Sequence, residues 1–87
     1  MNSLTSEYVE NILNNSDVEY FEAFGKALIA VYRLPNGHVL TGMGACVDPT
    51  IYDIDAGKKV AREQVADQIW AREGYLLQQR LHEEANG

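Results

Sequence analysis

The order of apolar and polar positions predicts a helix at the start of the chain. Thr5 or Ser6 can cap that helix, because short hydroxyl side chains accept hydrogen bonds from free N–H groups. The polar run at 14–16 should end it, since such side chains compete for backbone hydrogen bonds. The segment 18–24 alternates weakly and fits an extended edge strand or an ordered loop. The stripe that the helix buries consists of Tyr8, Val9, Ile12 and Leu13.

Two apolar segments in the middle of the chain, 26–34 and 39–47, predict a β-hairpin. The dipeptide Asn36-Gly37 between them is typical of a two-residue turn, whose backbone requires positive φ angles. That turn fixes the register and places three pairs opposite one another: Ile29 with Gly44, Val31 with Gly42, and Arg33 with Leu40.

The two strand glycines lie on one face of the predicted hairpin and leave a shallow trough. Glycine weakens a strand, so its presence indicates close approach by another backbone or by a ligand. A helix packed into the trough is the favoured interpretation, and a bound ligand is the alternative.

A longer helix is predicted after the hairpin. Asp53 is its expected N-cap, and Asp55 suits the positive end of the helix dipole. Gly74 should end the helix or allow a sharp bend, after which residues 75–81 form a short last helix. The buried stripe of the long helix is expected to contain Ile54, Ala61, Val65 and Ile69, flanked by Val60 and Trp70.

Together these elements predict one α+β domain in the order αββαα, with an antiparallel hairpin packed against helices. A two-stranded hairpin is marginal alone and leaves two open edges, so we expect a homodimer or a larger homo-oligomer to complete the fold. Within the single domain of residues 1–87, the predicted parts are an acidic N-terminal helix and loop at 1–25, the hairpin at 26–47, a helical part at 53–82 and a frayed tail at 83–87.

Composition places the chain among small proteins of a reducing compartment. Its 87 residues are 46% hydrophobic, enough for one thin core. The single cysteine, Cys46, argues against a disulfide-stapled secreted domain. The first residues have no signal-peptide pattern, and no apolar run is long enough for a membrane span. We therefore expect a cytoplasmic protein without a membrane partner.

The net charge of -6 is unevenly distributed. The first 25 residues carry five acidic side chains and no lysine or arginine. General nucleic-acid binding is disfavoured, because its affinity comes mainly from basic side chains that neutralise phosphates. The acidic segment could bind a basic host protein, although maintaining solubility is the simpler interpretation.

The titratable residues do not form a pattern that indicates catalysis. Cys46 could act as a nucleophile only with His38 or His82 beside it, and the predicted hairpin keeps Cys46 and His38 at opposite ends. The nearest approach to a metal site is Asp48, Asp53 and Asp55, which lacks the spacing of a calcium loop. We expect no catalytic residue, no metal and no cofactor.

The start of the long helix carries the clearest candidate binding site. Free N–H groups and the helix dipole favour an anion there, and three cations lie within five positions. Two tyrosines could stack on a base, which would suit a nucleotide. The alternative is a solvated helix face whose cations pair with nearby carboxylates. The candidate ligand residues are Tyr52, Gly57, Lys58, Lys59, Arg62 and Tyr75.

The order of motifs over residues 26–77 resembles a family of small tailed-phage and prophage proteins typified by phages N-four and Sf-six. The resemblance is carried by Asn36-Gly37, by the segments 42–48 and 57–61, and above all by residues 70–77, which read Trp-x-x-Glu-Gly-Tyr-x-Leu. Tyr52 departs from the phenylalanine expected there. The resemblance implies a phage accessory protein made in an infected or lysogenic bacterium, without catalytic residues to carry over. The chain is also similar to phage anti-defence proteins that sequester nucleotide immune signals.

Overall fold

A helix, three strands and a second, much longer helix follow one another along the chain. The computed structural model describes residues 6–46 and 48–86. The strands form one antiparallel sheet in the order β1-β2-β3. The elements are α1 (Ser6–Asn14), β1 (Asp17–Ala23), β2 (Ala27–Arg33), β3 (Val39–Ala45), a short 3-10 turn (Pro49–Ile51) and α2 (Ile54–Asn86). The α+β class is confirmed, but the order is αβββα rather than αββαα.

Two differences produce the changed order. The weakly alternating segment forms β1, because all seven of its residues pair with β2 and the backbone groups directed toward β2 are hydrogen-bonded. Helix α2 continues through Gly74, so the prediction of a separate last helix was wrong. Residues 83–86 belong to the same helix and are not frayed. An interior glycine costs a helix only about 1 kcal/mol. Thr5, one of the two cap candidates, and Val47, the end of the predicted second strand, lie outside the described residues.

The turn between β2 and β3 is one residue longer than predicted. The N–H of Gly37 donates to the carbonyl of Leu34 at 2.8 Å, and the N–H of Leu34 donates to the carbonyl of His38 at 2.8 Å. Gly37 has a φ of 89°, whereas Asn36 is not among the residues with positive φ. Pro35, with its φ fixed near -65°, favours an ordinary type I turn followed by a left-handed glycine.

This three-residue turn shifts the register by one position. Leu28 faces Gly44, Ala30 faces Gly42 and Tyr32 faces Leu40. The predicted pairs of Ile29, Val31 and Arg33 with these β3 residues were therefore wrong. Because side chains alternate along a strand, the shift moves the two glycines onto the face of β2 that is buried.

The β1–β2 connection contains a tight turn centred on Phe24 and Gly25, and Lys26 is a third loop residue before the paired Ala27. Phe24 and Gly25 both have positive φ angles, 58° and 66°, and the N–H of Lys26 donates to the carbonyl of Ala23 at 3.2 Å. Phe24 is 92% exposed in this left-handed conformation. A bulky residue rarely adopts such a φ, so the sequence did not indicate this turn.

Both helices cover the same face of the sheet and form one core. On the helix side, Ala61, Val65 and Ile69 of α2 are buried as predicted, but Ile54 and Val60 are each 43% exposed. The opposite sheet face has no helix on it within the described residues, and its Phe21 and Met43 are about half exposed. The core cluster consists of Val9, Leu13, Ala30, Tyr32, Leu40, Ala61, Val65 and Ile69.

The strand glycines bring α2 onto the sheet at backbone distance. A Cβ at Gly44 would lie 2.6 Å from the carbonyl oxygen of Gly57, and one at Gly42 would come closer still to the carbonyl of Ala61. Real Cβ atoms do not approach other atoms this closely. The predicted trough is therefore confirmed, and the helix backbone occupies it.

Side chains of α2 also cover the free edge of β3. Gln64 accepts a hydrogen bond from the N–H of Met43 at 2.9 Å, and the amide of Gln68 donates to the carbonyl of Thr41 at 2.7 Å. Unpaired edge groups otherwise invite pairing with another chain. Of the two outer strands, β1 thus has the more open edge, which corrects the expectation of two open edges.

Helix α2 is much longer than the sheet that it covers. Its 33 residues extend roughly 50 Å, whereas a seven-residue strand extends roughly 23 Å. The molecule accordingly measures 57 × 22 × 19 Å. The half of the helix after Ile69 projects beyond the core.

Candidate binding groove

The three cations at the start of α2 lie on two sides of the helix. Lys58 is directed toward β1, where its ammonium lies 4.7 Å from the centroid of the Tyr20 ring. Such a cation–π contact is favourable by about 0.5–1 kcal/mol at partly exposed sites. Lys59, one residue further, lies in a groove between α1 and α2 together with Arg62. The predicted cluster is therefore divided.

Arg62 is held in place by three neighbours. Its guanidinium donates to the carboxylate of Glu10 at 3.0 Å and to the side-chain oxygen of Asn14 at 2.9 Å. Burial opposes its charge, but hydrogen bonds with Tyr32 and Glu10 outweigh that effect and raise the pKa of Arg62. Arg62 thus joins α1 to α2 and also reaches the core tyrosine.

The pKa of Tyr32 is raised, although the nearby Arg62 guanidinium by itself would lower it. Its pKa is raised chiefly because the side chain is buried, and the hydrogen bond with Arg62 only partly offsets that rise. Tyr20, whose ring receives Lys58, also contributes to the increase. Lys58 and Arg62 therefore both have partners within the chain: Lys58 contacts the Tyr20 ring, and Arg62 pairs with the carboxylate of Glu10.

Lys59 is exposed, and its ammonium has no hydrogen bond or ion pair among residues 6–46 and 48–86. The groove around it has a volume of about 400 Å³, within the usual range for small-ligand sites. Val9, Leu13 and Ala66 supply its apolar part, and Trp70 lies at one end. The remaining lining residues are Ser6, Glu10, Lys59, Arg62 and Glu63.

The other predicted ligand residues lie away from this groove. Gly57 is buried, and a Cβ there would lie 3.3 Å from Cβ of Leu28, so its small size serves packing. Tyr52 is half-buried before the helix, and its pKa is raised by desolvation and by the nearby carboxylate of Glu22. Tyr75 lies 17 positions beyond Lys58 on one helix, roughly 25 Å away. The six residues do not form one site.

Trp70 was predicted to flank the buried stripe and was not among the candidate ligand residues. It is partly buried, packs against the core cluster and also lines the groove. Its helical spacing from Lys59, Arg62 and Ala66 places these residues on one side of α2. That spacing was readable in the sequence, but the position of α1 across the groove was not.

The residues considered for catalysis and metal binding remain apart. Cys46 and His38 lie just beyond opposite ends of β3, roughly 26 Å apart along the strand direction. In the described part of the chain, no three His, Cys, Asp or Glu side chains converge as a metal site would require. Asp53 instead caps α2 by accepting hydrogen bonds from the N–H groups of Asp55 and Ala56. None of the described helices combines the length and the hydropathy that a membrane span requires.

The structure is thus that of a small α+β protein with a groove between its two helices. The chain belongs to the Phage protein (N4 Gp49/phage Sf6 gene 66) family, whose sequence profile matches residues 4–81. The resemblance to this family noted in the sequence is confirmed, and the match extends beyond residues 26–77 at both ends. No curated protein and no solved structure gave a significant match.

Proposed function

We propose that this phage protein acts without catalysis, by binding a small nucleotide in the groove between α1 and α2. The observation that supports this most directly is the position of Lys59 beside Arg62, above an apolar floor and in line with Trp70. The cations would contact phosphate, and the indole would stack on a base. In the cytoplasm of an infected bacterium, such binding would withdraw a nucleotide signal from host defence.

The charges of the groove restrict the class of nucleotide. The carboxylate of Glu10 is already paired with Arg62. The carboxylate of Glu63, one helical turn from Lys59, would repel a ligand with many negative charges. We therefore expect a cyclic or linear nucleotide with one or two phosphates to bind better than a triphosphate.

Thermal denaturation with a panel of cyclic and linear nucleotides tests this proposal. A ligand at 100 times its Kd stabilises a protein by about 2.7 kcal/mol, which is readily measured as a rise in Tm. Three substitutions then locate the site. Lys59→Ala should abolish the rise, Glu63→Gln should increase it, and Lys58→Ala should leave it unchanged.

Comparing substitutions at the two neighbouring lysines distinguishes ligand binding in the groove from ligand binding at the predicted cluster of cations. If Lys58→Ala and Lys59→Ala weaken binding equally, the ligand contacts the helix start rather than the groove. If no nucleotide in the panel raises Tm, the proposal is rejected.

A second candidate function is inhibition of a basic host protein through β1. This strand carries Asp17, Glu19 and Glu22 at the more open edge of the sheet, and only Asp17 has an ion pair among the described residues, with Arg33 at 2.7 Å. An extended basic segment could add to that edge through main-chain hydrogen bonds while the acids attract it.

Deleting residues 1–25 would not test that function, because Val9 and Leu13 belong to the core. The double substitution Glu19→Lys and Glu22→Lys reverses the charge of the strand without removing it. Affinity capture from bacterial lysate should lose a specific partner with this variant and keep it with Lys59→Ala. Equal recovery with all three proteins would reject the acidic edge as a docking site.

A further inference from the structure

The projecting half of α2 has apolar side chains that remain exposed to a large extent. Tyr75 is 68% exposed, Leu76 54% and Leu81 38%. Isolated helices of this length are marginal in water, because packing rather than propensity supplies most helix stability. Of these three, Leu81 lies on one stripe with Trp70 and Leu77, which are partly buried, whereas Tyr75 and Leu76 lie outside that stripe.

One stripe on this half has the spacing of a helix–helix seam. Trp70, Gly74, Leu77 and Leu81 follow one another at intervals of four, three and four residues. This is the a/d pattern that buries one side of a helix against a second helix. Glu73 and Arg80 flank the stripe, and both lie on the same side of it.

We propose that the stripe pairs with its counterpart in a second copy of the chain, antiparallel and centred on Leu77. Two-fold symmetry then sets Leu77 against Leu77 of the partner subunit and Gly74 near the partner's Leu81. In an antiparallel pair, the same flank of each helix meets the other. Glu73 of each copy therefore faces the partner's Arg80, and two opposite-charge pairs form.

This complementarity favours a second copy over an unrelated helix. A parallel pair in register would instead set the Glu73 and Arg80 flank of one copy against the Ala71 and Gln78 flank of the other, and neither charge would gain an opposite partner. The opposite flank carries Ala71 and Gln78, which are neutral and impose no competing register.

The pairing also bears on the groove between the helices. Trp70 belongs to both the stripe and the groove lining. In the antiparallel arrangement, residues 84–85 of each copy lie beside the partner's Trp70. The second copy thus closes the end of the groove that the single chain leaves open. The proposal nevertheless stands without the nucleotide, since it concerns association alone.

Sedimentation equilibrium of the full chain without nucleotide measures this association directly. The wild-type protein should have twice the chain mass of 9.7 kDa. Leu77→Arg places two like charges at the two-fold axis and should reduce the mass to that of one chain. Tyr75→Arg, on the other side of the helix, should leave the dimer intact. Circular dichroism establishes that each variant is folded.

A charge exchange tests the antiparallel register and the identity of the partner together. Glu73→Arg and Arg80→Glu should each lose the dimer, because each homodimer then contains only like-charged pairs. Mixing the two variants should restore it as a heterodimer. A wild-type chain that stays monomeric overturns the proposal. So does a dimer that survives Leu77→Arg but dissociates on Phe21→Glu, because the open sheet face would then be the interface.

Discussion

The two halves of α2 have different relations to the rest of the molecule. From Ile54 to Ile69 the helix lies on the sheet at backbone distance, and its buried positions are small or aliphatic. From Trp70 to Asn86 it has exposed aromatic and leucine side chains and projects from the core. Both halves contain an interior glycine, but only Gly57 has a protein neighbour where a Cβ would be. The same residue type therefore signals packing in one half and not in the other.

The largest effect is expected where the first half meets the sheet. Gly42→Ala would place a Cβ against the backbone of Ala61, which cannot rotate away as a side chain can. The helix must shift, at a cost of about 3 kcal/mol or more. Thermal denaturation should show a Tm lower by more than about 10 °C.

Gly74→Ala in the second half is the matched substitution. Nothing lies within 4 Å of a Cβ at Gly74. Alanine should therefore raise stability by about 0.5–1 kcal/mol through helix propensity alone. The measurement is made at low protein concentration, so that association does not contribute. Equal losses from both substitutions would show that the two halves do not differ in packing.

Much of the first half could be predicted from sequence. The stripe of Ala61, Val65 and Ile69, the Asp53 cap and the glycine trough follow from local spacing and from the chemistry of single residues. The register of the β2–β3 hairpin could not be predicted in this way, because Asn36-Gly37 signals a two-residue turn while Pro35 before it favours a longer one. The continuation beyond Gly74 was missed because a helix tolerates the small cost of one glycine.

The candidate site could be predicted only in part. Lys59 and Arg62 were identified from their position at a helix start. Their separation from Lys58 depends on Tyr20 in β1 and Glu10 in α1, which are distant in sequence and positioned by tertiary packing. Tyr75 lies far from the helix start because α2 continues through Gly74 instead of ending or bending there.

An intermediate effect is expected at the β3 edge, which only the first half covers. Gln68→Ala removes the donor to the carbonyl of Thr41, and Gln64→Ala removes the acceptor for the N–H of Met43. Each loss should lower the free energy of unfolding by about 1 kcal/mol in urea denaturation. The double variant should also aggregate faster on heating, because the edge is then unprotected.

Gln79→Ala is the control for the glutamines. Its amide donates only to Glu83 on the same helix, at 3.2 Å and exposed to solvent. The substitution should change stability by less than about 0.5 kcal/mol. If Gln68→Ala is as neutral as Gln79→Ala, the glutamine contacts do not protect the edge.

The smallest effect concerns the turn that leads into the first half. The carboxylate of Asp48 accepts hydrogen bonds from the N–H of Thr50 at 2.9 Å and from its hydroxyl at 2.8 Å. These bonds favour the charged form and lower the pKa of Asp48. Since the pKa is lower in the folded state, the stabilisation is present above the unfolded pKa of about 3.9 and is lost as pH falls through the folded value.

NMR titration of the Asp48 carboxyl should therefore give a pKa below that of an unfolded peptide. Thr50→Val removes the hydroxyl donor and keeps the N–H, so the pKa should rise only part of the way back. Full return to the peptide value would mean that the backbone bond contributes nothing, whereas no change would exclude the hydroxyl. Because Asp48 is exposed, solvent screens the interaction, and the stability at neutral pH should change little. The start of α2 is thus fixed mainly by the Asp53 cap and by contact with the sheet, which is the support that its far half lacks.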